Sequence, residues 1–304
     1  MENKKLDRYK TISQFHKSRD LPNPDHPLIS VIDVKDIRNH YQPINMILDY
    51  YSISLKRNFS SKFIYGQNEY DYDDGVMYFI SPNQIFKIEH SKDELLKQTG
   101  WLLLIHPDFL WNTSLANTIK QYEYFGYSVN EALFLSDKEE GIINNIIQNI
   151  KDESHANIDV FTQKIILSHI ETLLNYAERF YQRQFITRKK SNHKILERLE
   201  TLLTDYFNRD DLVINGLPSV QSIAEQLHVS PNYLSGLLKV LTGQSTQQHI
   251  QSKLIEKAKE KLSTTDLTVS EISYILGFEH SQSFSKLFKT KTNLSPLEFR
   301  QSFK

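Results

Sequence analysis

Residues 277–296 read G-F-E-H-S-Q-S-F-S-K-L-F-K-T-K-T-N-L-S-P and join the end of one predicted helix to the start of another. Gly277 follows apolar residues at helical spacing, and glycine commonly ends a helix in the left-handed conformation. In the next helix the apolar residues Phe284, Leu287 and Phe288 share one side. The other side is polar and carries Ser281, Gln282, Ser283 and Lys286. We therefore predict a helix that is held by its apolar side and presents a polar first turn to another molecule.

A similar pair of helices is predicted earlier in the chain. Ser219 precedes a short apolar helix, and a second helix begins at Ser230–Pro231, where the missing proline N–H does no harm. The small side chain of Ala224 allows the close approach that a helix-turn-helix crossing requires. The strongly helical run at 247–262 lies between the two pairs. If both polar faces point to one side, they could enter successive major-groove turns, which lie ~34 Å apart in B-DNA.

Composition limits the classes of protein that the chain can belong to. Its 304 residues are 39% apolar and 24% charged, as in ordinary globular proteins. The absence of cysteine excludes disulfides and thiolate metal sites, and it fits a reducing compartment. Net charge is −1, but residues 219–304 carry ten Lys and Arg against seven Asp and Glu, which gives +3. No secretory signal or membrane-spanning run is evident, so we expect a cytoplasmic protein.

The N-terminal sequence changes character near residue 136. Residues 28–110 contain short apolar and aromatic runs between turn-forming residues, which is typical of a small barrel or sandwich. Ser136 and Glu139 then form a predicted capping box, and two amphipathic helices follow, the second at 158–186. Its predicted apolar stripe includes Phe161 and Ile165. Such a hairpin must bury its stripe against the barrel, a partner subunit, or both. The polar run 186–192 is predicted to be a linker.

The C-terminal residues resemble the AraC-type (AraC/XylS) transcription regulators. The second helix pair matches at Ile272, Gly277–Phe278, Phe284, Phe288–Lys289, Ser295–Pro296 and Arg300. The first pair matches at Ile223–Ala224, Val229–Ser230, Tyr233–Leu234 and Thr242–Gly243. Ser273 and Asn293 depart from the alanine and glycine that are usual there. The resemblance covers residues 202–302, within a predicted DNA-binding domain at 191–304.

The resemblance implies that double-stranded DNA is the partner and that the second helix of each pair is a recognition helix. The residues expected to face bases are Asn232, Ser235, Gly236, Ser281, Gln282, Ser283 and Lys286. Among them, Gln282 can pair with an adenine edge and Lys286 with guanine. The residues expected to contact phosphates are Tyr233, Lys239, Lys289, Lys291 and Arg300. Phosphate contacts position the protein without specifying the sequence.

For the rest of the chain, the resemblance implies a cupin-like effector-sensing domain at 1–135 and a helical hairpin at 136–190 that forms a homodimer. The expected fold class is therefore α+β, with a β-rich barrel, a hairpin and an all-α domain whose two helix-turn-helix motifs are joined by a linker helix. Candidate residues of the effector pocket are Phe63, Tyr65, Tyr72 and Tyr78, and the effector is not identified. RNA polymerase is an expected partner if the protein is an activator.

Two other functions are compatible with this organisation. One is a constitutive architectural DNA-binding protein that responds to no effector. The other is a metal-dependent cupin enzyme fused to a DNA-binding tail. The histidines of the N-terminal region form no H-x-H pair, and no Walker loop, Rossmann fingerprint or nucleophile elbow occurs. We therefore expect no enzymatic activity, no cofactor and no metal.

Overall fold

The computed structural model describes residues 6–37, 44–57, 64–65, 68–69, 75–88, 99–127, 131–156, 159–187, 189–209 and 212–302. The chain divides into two units, Met1–Thr187 and Arg188–Lys304, called here the N-terminal unit and the C-terminal unit. No helix in the described ranges has both the length and the apolar character needed to cross a bilayer.

The N-terminal unit is rich in β-structure. Its strands are β1 (Leu6–Tyr9), β2 (Ile29–Asp33), β3 (Ile44–Leu48), β4 (Tyr51–Arg57), β5 (Ile64–Tyr65), β6 (Asn68–Glu69), β7 (Val76–Ile80), β8 (Ile85–Ile88), β9 (Thr99–Ile105) and β10 (Leu133–Phe134). A five-stranded antiparallel sheet has the order β10-β7-β4-β9-β2. A second sheet has the order β1-β3-β8, and β5 pairs with β6. The described strands form these separate sheets and no closed barrel, so the β-rich region is confirmed but barrel closure is not.

Both faces of the five-stranded sheet are covered. Side chains alternate between the two faces of a strand, so Leu104 of β9 points away from its neighbour Leu103. Leu104 joins a core cluster that also contains Ile12 of helix α1 (Ile12–Ser18) and Met46 of β3. The opposite face carries Leu55 and Trp101, which are adjacent across β4 and β9. Helix α3 contacts the sheet at β2.

Two long helices form the hairpin of the N-terminal unit. A short helix, α2 (Leu115–Thr118), precedes α3 (Asp137–His155) and α4 (Thr162–Thr187). The predicted capping box is confirmed, because Ser136 and Glu139 each accept a hydrogen bond from the other's backbone N–H. The buried face of α4 consists of Thr162, Ile166, Ile170, Leu173, Leu174, Ala177, Phe180, Tyr181, Gln184 and Phe185.

Part of the predicted stripe of α4 is wrong. Phe161 is 62% exposed and Ile165 is 40% exposed. The Asp159 carboxylate accepts hydrogen bonds from the N–H groups of Phe161 and Thr162, so the helix begins with Thr162 on its buried face. Phe161 and Ile165 precede the buried positions Thr162 and Ile166 by one residue each, which rotates them towards solvent.

The C-terminal unit is all-helical where it is described. Its helices are α5 (Lys189–Asn208), α6 (Leu212–Asn215), α7 (Val220–Leu227), α8 (Pro231–Thr242), α9 (Thr246–Thr264), α10 (Val269–Ile275), α11 (Ser281–Thr292) and α12 (Pro296–Gln301). The predicted linker at 186–192 is thus helical at every described position, as the end of α4 and the start of α5. Helix α5 packs against α7 and α9, and its buried residues Ile195, Leu199 and Leu203 recur every four residues.

Candidate nucleic-acid interface

Helices α7 and α8 form the first helix-turn-helix motif. Ile223, Ala224 and Leu227 of α7 are buried, as are Leu234 and Leu237 of α8. The turn passes through His228, which has φ 59° in the left-handed region. The N–H of Val229 then donates to the carbonyl of Ala224 at 3.0 Å. Ser230 caps α8 by accepting a hydrogen bond from the N–H of Tyr233, and Pro231 occupies the first helical position as predicted.

Helices α10 and α11 form the second motif. The ring of Phe278 meets Phe284 edge-on at 5.5 Å between centroids and so anchors the turn to α11. Phe284 and Phe288 are fully buried, and the Phe288 ring also contacts Phe299 of α12 at 5.5 Å. These contacts fix α11 along its length. Helix α9 lies between the two motifs in the sequence and contacts α8, α10, α11 and α12.

Most of the residues predicted to contact DNA are accessible. Gly236 and Ser281 are half-buried. The exposed ones are Asn232, Lys239, Gln282, Ser283, Lys286, Lys289 and Lys291. His280, which the sequence reasoning did not select, is exposed beside them at the N-cap of α11 and makes no capping hydrogen bond. Its position directly before the predicted reading residues was the signal that could have identified it.

Two predicted contacts on α8 are wrong. Tyr233 is 0% exposed, so its side chain belongs to the core and cannot contact a phosphate. Its spacing of four residues from Leu237 already places it on the buried side of the helix. The Ser235 hydroxyl lies 3.0 Å from the hydroxyl of Thr246, which is itself fully buried. Ser235 therefore links α8 to the first turn of α9 and does not face a base.

Arg300 is also misassigned as a phosphate contact. Its guanidinium donates to the carbonyl of Leu262 at 3.2 Å and to the carbonyl of Leu267 at 2.6 Å. The first carbonyl belongs to the last turn of α9 and the second precedes α10. Arg300 thus satisfies backbone acceptors at a helix end and holds α12 in place.

Two acidic residues, Glu271 of α10 and Glu298 of α12, are engaged in helix caps, whereas Glu279 in the turn before α11 is exposed. The pKa of Glu271 is lowered because its carboxylate accepts hydrogen bonds from the N–H and the hydroxyl of Thr268. The pKa of Glu298 is lowered by the equivalent bond from the N–H of Ser295. Both carboxylates stabilise N-termini, and the three lysines of α11 remain exposed beside its polar first turn.

Replacing Ser273 by alanine is expected to raise the free energy of unfolding of the C-terminal unit by about 1 kcal/mol. The Ser273 hydroxyl is fully buried and has no hydrogen-bond partner among the described residues. Chemical denaturation followed by far-UV circular dichroism measures the change. The control is Ser270→Ala, at an exposed position of the same helix, which should alter stability by less than about 0.5 kcal/mol. Destabilisation by Ser273→Ala would show that the hydroxyl has a favourable partner.

The predicted effector-pocket residues are only partly within the described structure. Phe63 and Tyr72 lie outside the described residues, as does the side chain of Tyr65. Tyr78 is half-buried and packs against Val76, Ala132 and Phe134, and burial raises the pKa of its phenol. The membership of all four in one pocket stays a prediction.

Comparisons with known proteins show that the chain is similar to transcription regulators. A family model described as a helix-turn-helix domain matches residues 223–302. The HTH-type transcriptional regulator YfiF of Bacillus subtilis (strain 168) is 23% identical over 273 residues, covering 88% of this chain and 81% of that protein. The transcriptional activator RhaS of Salmonella agona is 23% identical over 260 residues, covering 83% and 86%.

Among solved structures, the C-terminal domain of AraT, a response regulator from Geobacillus stearothermophilus, is 31% identical with a TM-score of 0.32, covering 36% of this chain and 84% of that one. The residues matched by the helix-turn-helix family model, 223–302, include α8, α9, α10 and α11, so that match falls on the tandem motifs described above. Residues 223–302 are a helix-turn-helix domain of the AraC type, in a chain that is similar to transcription regulators over most of its length.

Proposed function

We propose that the C-terminal unit reads a specific DNA sequence by placing α8 and α11 in successive major-groove segments of one duplex. The observation that carries this proposal is the division of α11 into two sides. Phe284 and Phe288 are fully buried, whereas Gln282, Ser283 and Lys286 are exposed on the same two turns. A helix that is anchored in this way presents its polar groups in a fixed orientation, which base reading requires.

The exposed groups of α11 suit distinct roles at a duplex. The Gln282 amide can donate to and accept from an adenine edge, and Lys286 can donate to guanine. Lys289 and Lys291 lie further along the helix and are suited to phosphates. On α8, Asn232 and Lys239 are the exposed candidates that remain after Tyr233 and Ser235 are removed. The first motif therefore contributes fewer reading groups than the second.

Replacing Gln282 or Lys286 by alanine is expected to weaken binding to the preferred site by about 1–3 kcal/mol and to relax the preference at one or two base pairs. Selection of bound duplexes from a randomised pool identifies the site, and titrations at fixed salt measure the affinity. Lys289→Ala is the matched control, since loss of a phosphate contact should weaken all sequences alike and lower the salt dependence. Unchanged sequence preference in both Gln282→Ala and Lys286→Ala would remove their assigned roles.

The N-terminal unit is proposed to be a cupin-like domain that senses a small molecule, and the hairpin of α3 and α4 is proposed to form a homodimer. The β-rich architecture and the helices packed on it support this assignment. A ligand would then shift the population of arrangements in which the DNA-binding units engage their sites. A cytoplasmic location, and contact with RNA polymerase if the protein is an activator, belong to the same proposal.

A metabolite screen separates the sensing function from an architectural one. Thermal-shift measurements on the full chain should identify a stabilising small molecule, and the same molecule should change the affinity for the selected DNA site. Equal DNA affinity across the panel would instead favour a constitutive architectural DNA-binding protein.

A further inference from the structure

A cavity lies between helix α3 and the ends of β2, β4 and β9 in the N-terminal unit. Its volume of about 310 Å³ is within the range of small-ligand sites. On the sheet, Asp33 and Leu55 both pair with Trp101 across neighbouring strands, so these three side chains share one face. This face is opposite to the one that carries Leu104 and its cluster. The cavity is therefore separate from the pocket proposed at Tyr78, which belongs to the other face of the sheet.

The helical wall of the cavity is one face of α3. Its lining residues Glu140, Asn144, Ile147 and Lys151 recur at intervals of four, three and four residues, which places them in a single row. A ligand in the cavity would therefore contact both the sheet and the first helix of the hairpin. This position suits a sensor, because occupancy favours the arrangement in which α3 is docked on the sheet.

The base of the cavity is a completed polar network. The Glu140 carboxylate, only 3% exposed, pairs with Nε of Arg57 at 2.7 Å and accepts from the Asn144 amide at 3.2 Å. The Asn144 carbonyl oxygen in turn accepts from the indole N–H of Trp101 at 2.9 Å. A side chain at Gly75 would crowd this carboxylate, since a Cβ there would lie 2.6 Å from Oε2 of Glu140. These groups hold one another in place and form a rigid wall.

Besides the Glu140–Arg57 pair, the cavity lining carries two charged side chains, the cation Lys151 and the anion Asp33. The lining contains Asp33 and Glu140 against Arg57 and Lys151, and Glu140 is matched by Arg57. Among the described residues no carboxylate lies within ion-pair distance of the Lys151 ammonium. Asp33 pairs at 2.8 Å with Lys35, whose side chain is 66% exposed. Such an exposed pair contributes little free energy and can be exchanged for a ligand.

We infer that this cavity binds a small zwitterion of the free α-amino acid class. The ligand carboxylate pairs with Lys151 and the ligand ammonium with Asp33, while Val31, Leu55 and Ile147 supply apolar contact for its side chain. A ligand with only a negative charge would match Lys151 but make no charged contact with Asp33, which would keep its exposed partner Lys35. The cavity has the liquid volume of roughly ten water molecules, which suits one amino acid. The inference deepens the proposed sensing function and rests on it.

Isothermal titration of the full chain with each of the twenty amino acids at millimolar concentration tests this site. At least one should bind saturably, and its N-acetylated and decarboxylated derivatives should each bind about tenfold more weakly, which corresponds to about 1.4 kcal/mol. Lys151→Met and Asp33→Asn should weaken binding to a similar extent. Asparagine at position 33 can still accept the hydrogen bond from the N–H of Lys35, so the local turn is preserved. Lys138→Met, at an exposed position of the same helix outside the cavity lining, is the control and should leave the affinity unchanged.

Two results would overturn the site. One is failure of all twenty amino acids to bind, including the case in which sugars or dicarboxylates bind instead. The other is an affinity that is equal in wild type, Lys151→Met and Asp33→Asn, with unfolding curves showing that each variant is folded. DNA affinity is measured separately with the bound amino acid. Binding without any change in DNA affinity would support the site and reject the proposed effector response, so the two failures are distinguishable.

Discussion

Replacing Gly277 by alanine is expected to lower the free energy of unfolding of the C-terminal unit by about 3 kcal/mol. Gly277 has φ +84°, which an L-residue adopts only at a cost of about 1–2 kcal/mol. In addition, a Cβ there would lie 3.0 Å from the carbonyl oxygen of Leu212 and 3.1 Å from the carbonyl carbon of Gly216. These are backbone atoms of α6 and of the residue that follows it, so they cannot rotate away as a side chain could. Helix α6 would therefore have to move away from the turn between α10 and α11.

Gly243 provides the matched control for this prediction. It ends α8 with φ +74°, but a Cβ there would meet nothing within 4 Å. Gly243→Ala should therefore show only the conformational cost of about 1–2 kcal/mol. Far-UV circular dichroism during denaturation measures both variants. Equal losses in the two variants would show that the contact with α6 has no energetic consequence.

Replacing Arg57 by alanine is expected to destabilise the N-terminal unit by about 3 kcal/mol or more. The variant would leave the buried carboxylate of Glu140, a residue of α3, without its guanidinium partner. The reverse change, Glu140→Ala, should lower the free energy of unfolding by less, because the unpaired Arg57 side chain is 46% exposed and its charge can be hydrated. Most of the stability lost in Arg57→Ala therefore comes from leaving the buried Glu140 carboxylate without a charged partner.

Tryptophan fluorescence reports this effect, since the two tryptophans of the chain, Trp101 and Trp111, both belong to the N-terminal unit. Arg8→Ala is the control. Arg8 pairs with Asp49 at 2.8 Å, but both side chains are accessible, so its loss should cost less than about 1 kcal/mol. A loss in Arg57→Ala no larger than that of the control would contradict a structural role for the buried pair.

The C-terminal unit could be predicted closely because its local signals agree with its packing. Ser219 and Ser230 each cap the helix that was predicted to follow them. Gly277 adopts the left-handed conformation expected after a helix, and the apolar residues Phe284 and Phe288 are buried as predicted. These features depend on residues only a few positions apart, so periodicity and capping rules suffice to find them.

The errors arose where the partner is distant in the sequence or the helical phase differs by one residue. No local rule pairs Ser235 with Thr246, or Arg300 with the carbonyls of Leu262 and Leu267. The stripe of α4 was misplaced because Phe161 and Ile165 are as apolar as their buried neighbours, and only the cap at Asp159 fixes the phase. The network of Arg57, Glu140, Asn144 and Trp101 was missed because it joins two strands to a helix that comes later in the chain.

The central claim is that α8 and α11 read one duplex in two adjacent major-groove segments. Methylation interference at guanine N7 on the selected DNA site tests it most directly, because N7 lies in the major groove. The account predicts two sensitive clusters centred about 10 base pairs apart on one side of the duplex. It also predicts that Gln282→Ala with Lys286→Ala abolishes interference in one cluster and retains it in the other. Interference confined to a single cluster, or a pattern unchanged by the double substitution, would contradict the claim.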